Sequence, residues 1–521
     1  MFKILPRNVN SRILTSFQEL GRGHQKRVEV VRHTNEIRPF SGQVRGIYRA
    51  GQRFGNWSFN FNERSVTDSV DYPRLSPQQV TSIIQMHGAT FETNGGAVSR
   101  VETNKLASNT PIEDRHAQAK LNTTTNQYLF GIYDGHAGCA CSQALSERLF
   151  HYIALTMLPP YMLEQVKNGA VDPRIDLIHR YTCWDDYVNE ELTGTFTKSL
   201  MKLAIESLAA YSEDSAVEDH LRSAFLCLDQ DISMDALPGS TCQISLESVV
   251  PLAFAGSCAL VAFVDETDLY IANVGDSQAI LGVRTEQDQW EAVELSAPHC
   301  FGNKAEEERI IKQHPNESPD NLLAHGRLLG DLAPLRAFGD VRFKWSKKDL
   351  KHIVNTGYSS LVSIYGNNLI PRHFKTPPYL TAEPEIIKHH LSPKDKFLVL
   401  ASDGLWEFLE PHEVVKLVAG HMEGREVLLN NFELPKVESG GKQITLGHVN
   451  ELLLKRKLKL ALRPQDSNAV THLLRNALGP GHGKLSQLLS IPKISSRNYR
   501  DDITVTIVYF DTEYIKNTSY A

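Results

Sequence analysis

The residues of this chain best suited to chemistry are carboxylates. Glu113 and Asp114 stand side by side, and Asp134-Gly135-His136, Asp403-Gly404 and Asp501-Asp502 follow at wide intervals. Brought together, Glu113, Asp114, Asp134, Asp403 and Asp501 would crowd like charges that cannot all ionise without cations. An all-oxygen donor set without cysteine selects a hard ion, Mg²⁺ or Mn²⁺. Two such ions about 3.5–4 Å apart, bridged by one carboxylate, make a centre for phosphate ester hydrolysis, in which hydroxide formed between them attacks phosphorus. His136 is the side chain that titrates near neutral pH and can protonate a leaving alkoxide. Each motif also has a plainer reading. Asp-Gly is a common turn dipeptide, and adjacent acids such as Glu113-Asp114 are usually solvated surface.

The elements around these residues favour the chemical reading. Tyr128 to Tyr133 is an apolar, aromatic run with no polar interruption, a strand buried on both faces that delivers Asp134 at its end. A carboxylate there is costly unless something positive meets it. Lys396 to Ser402 repeats the pattern and ends in Asp403-Gly404; Ile503 to Phe510 is a third such run, with Asp501 and Asp502 at its start. In an antiparallel sheet the start of one strand lies beside the end of its neighbour. Asp134, Asp403 and Asp501 can therefore meet at one end of a sheet. Ala253 to Val283 reads as an antiparallel meander of Cys258–Val264, Leu269–Val274 and Ala279–Val283, with Gly275-Asp276-Ser277 as a turn. Ser76 and Pro77 start one helix. Leu145, Leu149, Ile153 and Met157 stripe a second, stopped by Pro159-Pro160. Asn303 to Gln313 is expected as an exposed helix with a Glu-rich face, and Ser467 as a cap of a helix ending at Gly479-Pro480.

Composition narrows the class. The chain has 521 residues, 41% hydrophobic and 22% charged, which suits a globular protein. A net charge of −6 gives no reason to expect nucleic acid binding by the whole chain. The seven cysteines show neither zinc nor disulfide spacing, so free thiols in a reducing compartment are expected. No stretch approaches the roughly 18–20 apolar residues of a transmembrane segment. Residues 1–60 stand apart, with eleven Lys or Arg against three Glu, and Phe2, Ile4, Leu5, Ile13, Leu14 and Phe17 among the early basic residues. That start suits a mitochondrial transit peptide; the alternative is a basic tail.

Taken in order, Glu113-Asp114, Asp134-Gly135-His136, Gly275-Asp276-Ser277, Arg336-Ala-Phe-Gly-Asp340, Asp403-Gly-Leu-Trp406 and Arg500-Asp501-Asp502-Ile-Thr504 resemble the metal-dependent protein Ser/Thr phosphatases, the PPM or type 2C family. The resemblance spans about residues 106 to 510. It implies an α+β fold, two antiparallel sheets packed as a sandwich and flanked by helices in four αββα layers, with the metals at one edge. The phosphatase domain would cover 61–515, with insertions at about 160–245, 340–380 and 408–495. Carried over, Asp134 would bridge two Mg²⁺ or Mn²⁺ ions. Asp403 and Asp501 would hold one, and Glu113 and the Gly135 carbonyl the other. Asp114 would orient a metal-bound water and His136 would be the general acid. Asp276 and Glu407 match positions of a weak third metal. The chain departs from the pattern at Asn109, where the family places an Arg that grips the substrate phosphate.

Asp134 to Gln143, Ser146 to Phe150, Phe343-Lys-Trp345, Thr376 to Pro384 and Tyr499 to Thr504 look like the subgroup that serves the pyruvate dehydrogenase complex of the mitochondrial matrix, which also carries Asn where relatives have the gripping Arg. That resemblance implies a phosphoserine substrate on the pyruvate dehydrogenase E1 component, docking to a lipoyl domain of the acyltransferase core, and a regulatory subunit. The competing readings are a phosphatase for another matrix substrate, such as the branched-chain ketoacid dehydrogenase, and a non-catalytic pseudophosphatase.

Overall fold

Alternate side chains of a strand enter different layers. In β4 (Gln127–Tyr133), Tyr128, Phe130 and Ile132 face one core, while Leu129 and Tyr133 face another. β14 (Asp395–Ala401) and β15 (Ile503–Phe510) divide likewise. Leu398, Leu400 and Val508 join Phe130, whereas Phe397, Val399, Val505 and Ile507 enter a third core. Each fully buried side chain of this size is worth about 1.5–3 kcal/mol. A sheet apolar on both faces needs a layer on each side.

The computed structural model describes residues 74–123, 125–181, 190–237, 239, 245–356, 358, 360–427, 464–479 and 481–519. All strand pairs are antiparallel. One six-stranded sheet runs β1 (Ala89–Glu92), β2 (Val98–Leu106), β15, β14, β10 (Gln278–Arg284), β11 (Trp290–Glu294). The other runs β13 (Glu385–His390), β9 (Asp268–Val274), β8 (Ala259–Asp265), β4, β3 (Arg115–Leu121), β6 (Ile178–Arg180). The Phe130 core lies between them. The helices Ala140–Thr156, Val217–Asp235 and Leu246–Phe254 pack on the β3–β4–β8 face, and Pro411–Met422 and Ala469–Ala477 on the β14–β15 face. This is the αββα sandwich expected. A small third sheet links β12 (Phe338–Gly339), β7 (Gly256–Ser257) and β5 (Gly135–His136). No helix among the described residues is long and apolar enough to cross a membrane.

The structure corrects the sequence reading in three places. The meander ends after two strands, because β10 leaves β9 and pairs with β14 and β11 in the opposite sheet. Gly275, at φ +109° against the Cys258 side chain, turns the chain at that crossing. The helix Lys304–Gln313 is not an exposed element throughout, since Glu306 and Ile310 are buried. The helix Ala469–Ala477 is capped by Asn468, not Ser467, with the Asn side chain accepting from Thr471 N–H. The expected transit peptide, residues 1–60, and residues 428–463 of the third insertion lie outside the described residues.

Candidate metal centre and active site

Strand register brings the acids to one edge. Arg115 of β3 stands opposite Tyr133 of β4, so Glu113 and Asp114, arriving before β3, come beside Asp134, which leaves β4. In the other sheet Ala401 of β14 faces Val505 of β15, so Asp403 leaves where Asp501 arrives. Each sheet thus contributes one departing and one arriving strand, so Asp134 meets Asp403 and Asp501 across two sheets and not, as expected from the sequence, at the end of one. Asp276 joins them from the crossing between β9 and β10. Carboxylate oxygens of Asp134, Asp276 and Asp403 lie within 4.8 Å of one another. Asp276, which its local sequence suggests is only a turn residue, is part of the tightest cluster, and Asp501 borders it.

Burial, then the neighbouring carboxylates, push Asp134 and Asp403 well above the usual range. Asp114, fully buried and next to Asp502, rises to about 7 and accepts a hydrogen bond from Ser402 Oγ at 2.8 Å. Burial lifts Asp501 to about 6 against the pull of Arg497. Glu407 is raised by burial as well. Asp403 Oδ1 is buried with no hydrogen-bond partner. An orphaned carboxylate oxygen among three clustered acids fits a hard divalent cation, which would restore the ionised forms.

Glu113 is placed differently. Its Oε1 accepts from Gly138 N–H at 2.6 Å, and its carbonyl accepts from Ser142 Oγ at 2.5 Å. A side chain on Gly135 would strike that carbonyl at 2.4 Å, so only glycine lets β5 pass. The loop carrying Glu113 hangs on Asp502, 1% exposed, whose oxygens accept from the backbone N–H of Ser108 (2.5 Å), Asn109 (2.8 Å) and Glu113 (2.8 Å). The Asn109 side chain also donates to Asp502, at 3.2 Å.

His136 Nε2 lies 2.6 Å from Asp340 Oδ2. Burial of the ring opposes its charge, but the Asp340 carboxylate outweighs that and the imidazole pKa is raised. The small third sheet sets this pair, with His136 opposite Gly256 and Asp340 directly after β12. A Cβ on Gly256 would lie 2.0 Å from His136 Nε2 and 2.2 Å from Asp340 Oδ2. Sequence reasoning did not find the partnership, because the two residues are 204 positions apart. Asp340 did stand in a quoted motif; its pairing had no local signal. The role of Asp502 had none either.

The described core therefore holds an acidic cluster beside an imidazole–carboxylate pair. The protein phosphatase 2C family model matches residues 184–432. The chain is 40% identical over 458 residues to mitochondrial [pyruvate dehydrogenase [acetyl-transferring]]-phosphatase 1 of Homo sapiens, covering 85% of this chain and 84% of that one. It is 37% identical over 471 residues to the corresponding phosphatase 2 of Homo sapiens, covering 87% of each. A solved serine-threonine phosphatase 2C from Toxoplasma gondii overlaps 81% of this chain and 99% of its own, at 15% identity and a TM-score of 0.41. With relatives 37–40% identical over most of its length, the chain belongs to the protein phosphatase 2C family of enzymes.

Proposed function

We propose that this enzyme is a Mg²⁺- or Mn²⁺-dependent phosphatase of the mitochondrial matrix that removes phosphate from serine on the E1 component of pyruvate dehydrogenase. The cluster of Asp134, Asp276 and Asp403 around an orphaned carboxylate oxygen carries the chemical half of this reading. The names of the relatives carry the substrate and the address. Asp134, Asp403, Asp501, Glu113 and the Gly135 carbonyl would hold two cations, with Asp276 and Glu407 available to a third. Bound cations supply charge neutralisation, Lewis-acid polarisation of the phosphoryl group and an acidified water. The chain's own residues do the rest. Asp114, with its pKa near neutrality and its Ser402 hydrogen bond, orients that water. His136 keeps its proton through Asp340 and gives it to the departing serine oxygen. The acids recognise phosphate, not a protein, so docking to a lipoyl domain of the core and to a regulatory subunit would supply selectivity by raising local concentration.

The test is dephosphorylation of isolated, phosphorylated pyruvate and branched-chain dehydrogenase complexes, with and without Mg²⁺ or Mn²⁺. Metal-dependent release from the pyruvate complex, faster when the substrate is bound to its lipoyl-bearing core, is expected. Preference for another phosphoprotein would sink the substrate; no turnover with any metal would sink the chemistry.

A further inference from the structure

A phosphate monoester brings about two negative charges to a site already lined with carboxylates, so some donor must meet the oxygens facing away from the cluster. Most nearby donors are spent on the fold. Arg115 donates through Nη1 to the carbonyls of Ile112 and Asp114 and through Nε to Gln143. Arg500 donates to the carbonyls of Ala107 and Asp501, and its one unpartnered nitrogen, Nε, is buried away from solvent. Asn109 gives both its backbone and side-chain N–H to Asp502.

Arg497 differs. Its side chain is 53% exposed, and Nη2 lies 2.5 Å from Asp501 Oδ2. Asp501 borders the acidic cluster, so the guanidinium stands at its rim. The base of the side chain is fixed. The helix Lys493–Ser496 ends on it, and the backbone N–H groups of Tyr499 and Arg500 both donate to the Ser496 carbonyl, at 3.0 and 3.2 Å. A planar fork of five donors can keep one edge on Asp501 and offer another to two phosphoryl oxygens.

We propose that Arg497 is the residue that grips the substrate phosphate, anchored on Asp501. The inference rests on the phosphatase reading above. It assigns a binding role to a residue outside every motif singled out from the sequence.

The experiment compares wild type, Arg497→Ala and Arg497→Lys with p-nitrophenyl phosphate at saturating Mn²⁺, with inorganic phosphate as competing ligand. The Ala variant is expected to raise both KM and the phosphate inhibition constant about tenfold, about 1.4 kcal/mol at 25 °C. Lys, with a point charge but no fork, should recover only part of that loss. Arg497→Gln replaces the Ala variant if that one does not fold. Unchanged phosphate inhibition in an active variant overturns the inference. A shift confined to the Mn²⁺ requirement overturns it too, because Arg497 would then serve Asp501 alone. A wild type with no metal-dependent turnover removes the phosphatase reading and this inference with it.

Discussion

Glu306, buried, and the half-buried Asp134–Asp276–Asp403 cluster are acids withdrawn from solvent, and they are treated in opposite ways. Glu306 is 4% exposed and clamped by Arg309 at 2.9 Å and Arg336 at 2.5 Å. Burial works against its charge, yet the two guanidinium groups hold its carboxyl at about 2. Asp134 and Asp403 have only burial and one another, and both are pushed up. A buried charge answered by fixed partners is structure. A buried charge left unanswered is a demand for something from outside, and here that demand sits where two sheets end.

The largest effect should come from deleting that demand. Asp134→Asn should lower turnover of p-nitrophenyl phosphate by about 10³-fold, about 4 kcal/mol in the barrier, while the far-ultraviolet spectrum stays native. Retained turnover at saturating Mn²⁺ would mean the cluster is not the metal centre. The converse variant, Glu306→Gln, leaves two half-buried guanidinium groups without their buried anion and should cost about 2–3 kcal/mol in urea unfolding. If it costs nothing, the clamp is not what stabilises that helix. His136→Ala should slow phosphoserine hydrolysis by about 10²-fold and affect p-nitrophenyl phosphate less, because nitrophenolate leaves without a proton. Equal losses would make His136 a structural residue.

The smallest effect is in the pH dependence of stability. In metal-free protein Asp114 titrates at about 7 and Asp501 at about 6, whereas unfolded carboxyls titrate near about 4. Between those values the folded state binds more protons, so stability falls as pH rises from about 4 to 7. His136, also raised, adds loss in the same direction. Glu306 has the reverse sign, with stability lost as pH falls from about 4.5 towards 2. Burial holds His116, His151, His299 and His472 at about 3 to 4, and these gain stability as pH rises through about 6.5, so the acids are read by difference. In metal-free thermal melts the wild-type midpoint should fall relative to that of Asp501→Asn as pH rises from about 5.5 to 7.5, and a difference that does not change with pH contradicts the crowding of unpaired acids.

What could be read in the sequence was what is local. The unbroken apolar runs before Asp134 and Asp403 and after Asp502 marked doubly buried strands, but antiparallel pairing unites only Asp403 and Asp501; Asp134 reaches them from the other sheet, through the packing of the sandwich. The sandwich itself came from resemblance. Pairings across the fold could not be read. Gly275 looks the same in a tight turn between neighbours as in a crossing between sheets, so Asp276 seemed peripheral. The choice of Asp340 for His136 depends on two short strands, Phe338–Gly339 and Gly256–Ser257, too small to show a period. Asp502 could be seen as one more acid but not as the peg of the Asn109–Glu113 loop.

β15, the last described strand in sequence, is not an edge strand. It lies between β2 and β14. It follows every other described strand in sequence, and without it the first sheet has a gap through its middle. Asp501 arrives with it, and so does Asp502, on which the Glu113 loop is tied. A chain cut before residue 501 therefore lacks the closing strand together with Asp501 and Asp502. The residue that would hold metal and the strand that fills the gap thus come in one piece, and the acid edge is complete only when the sheet is closed.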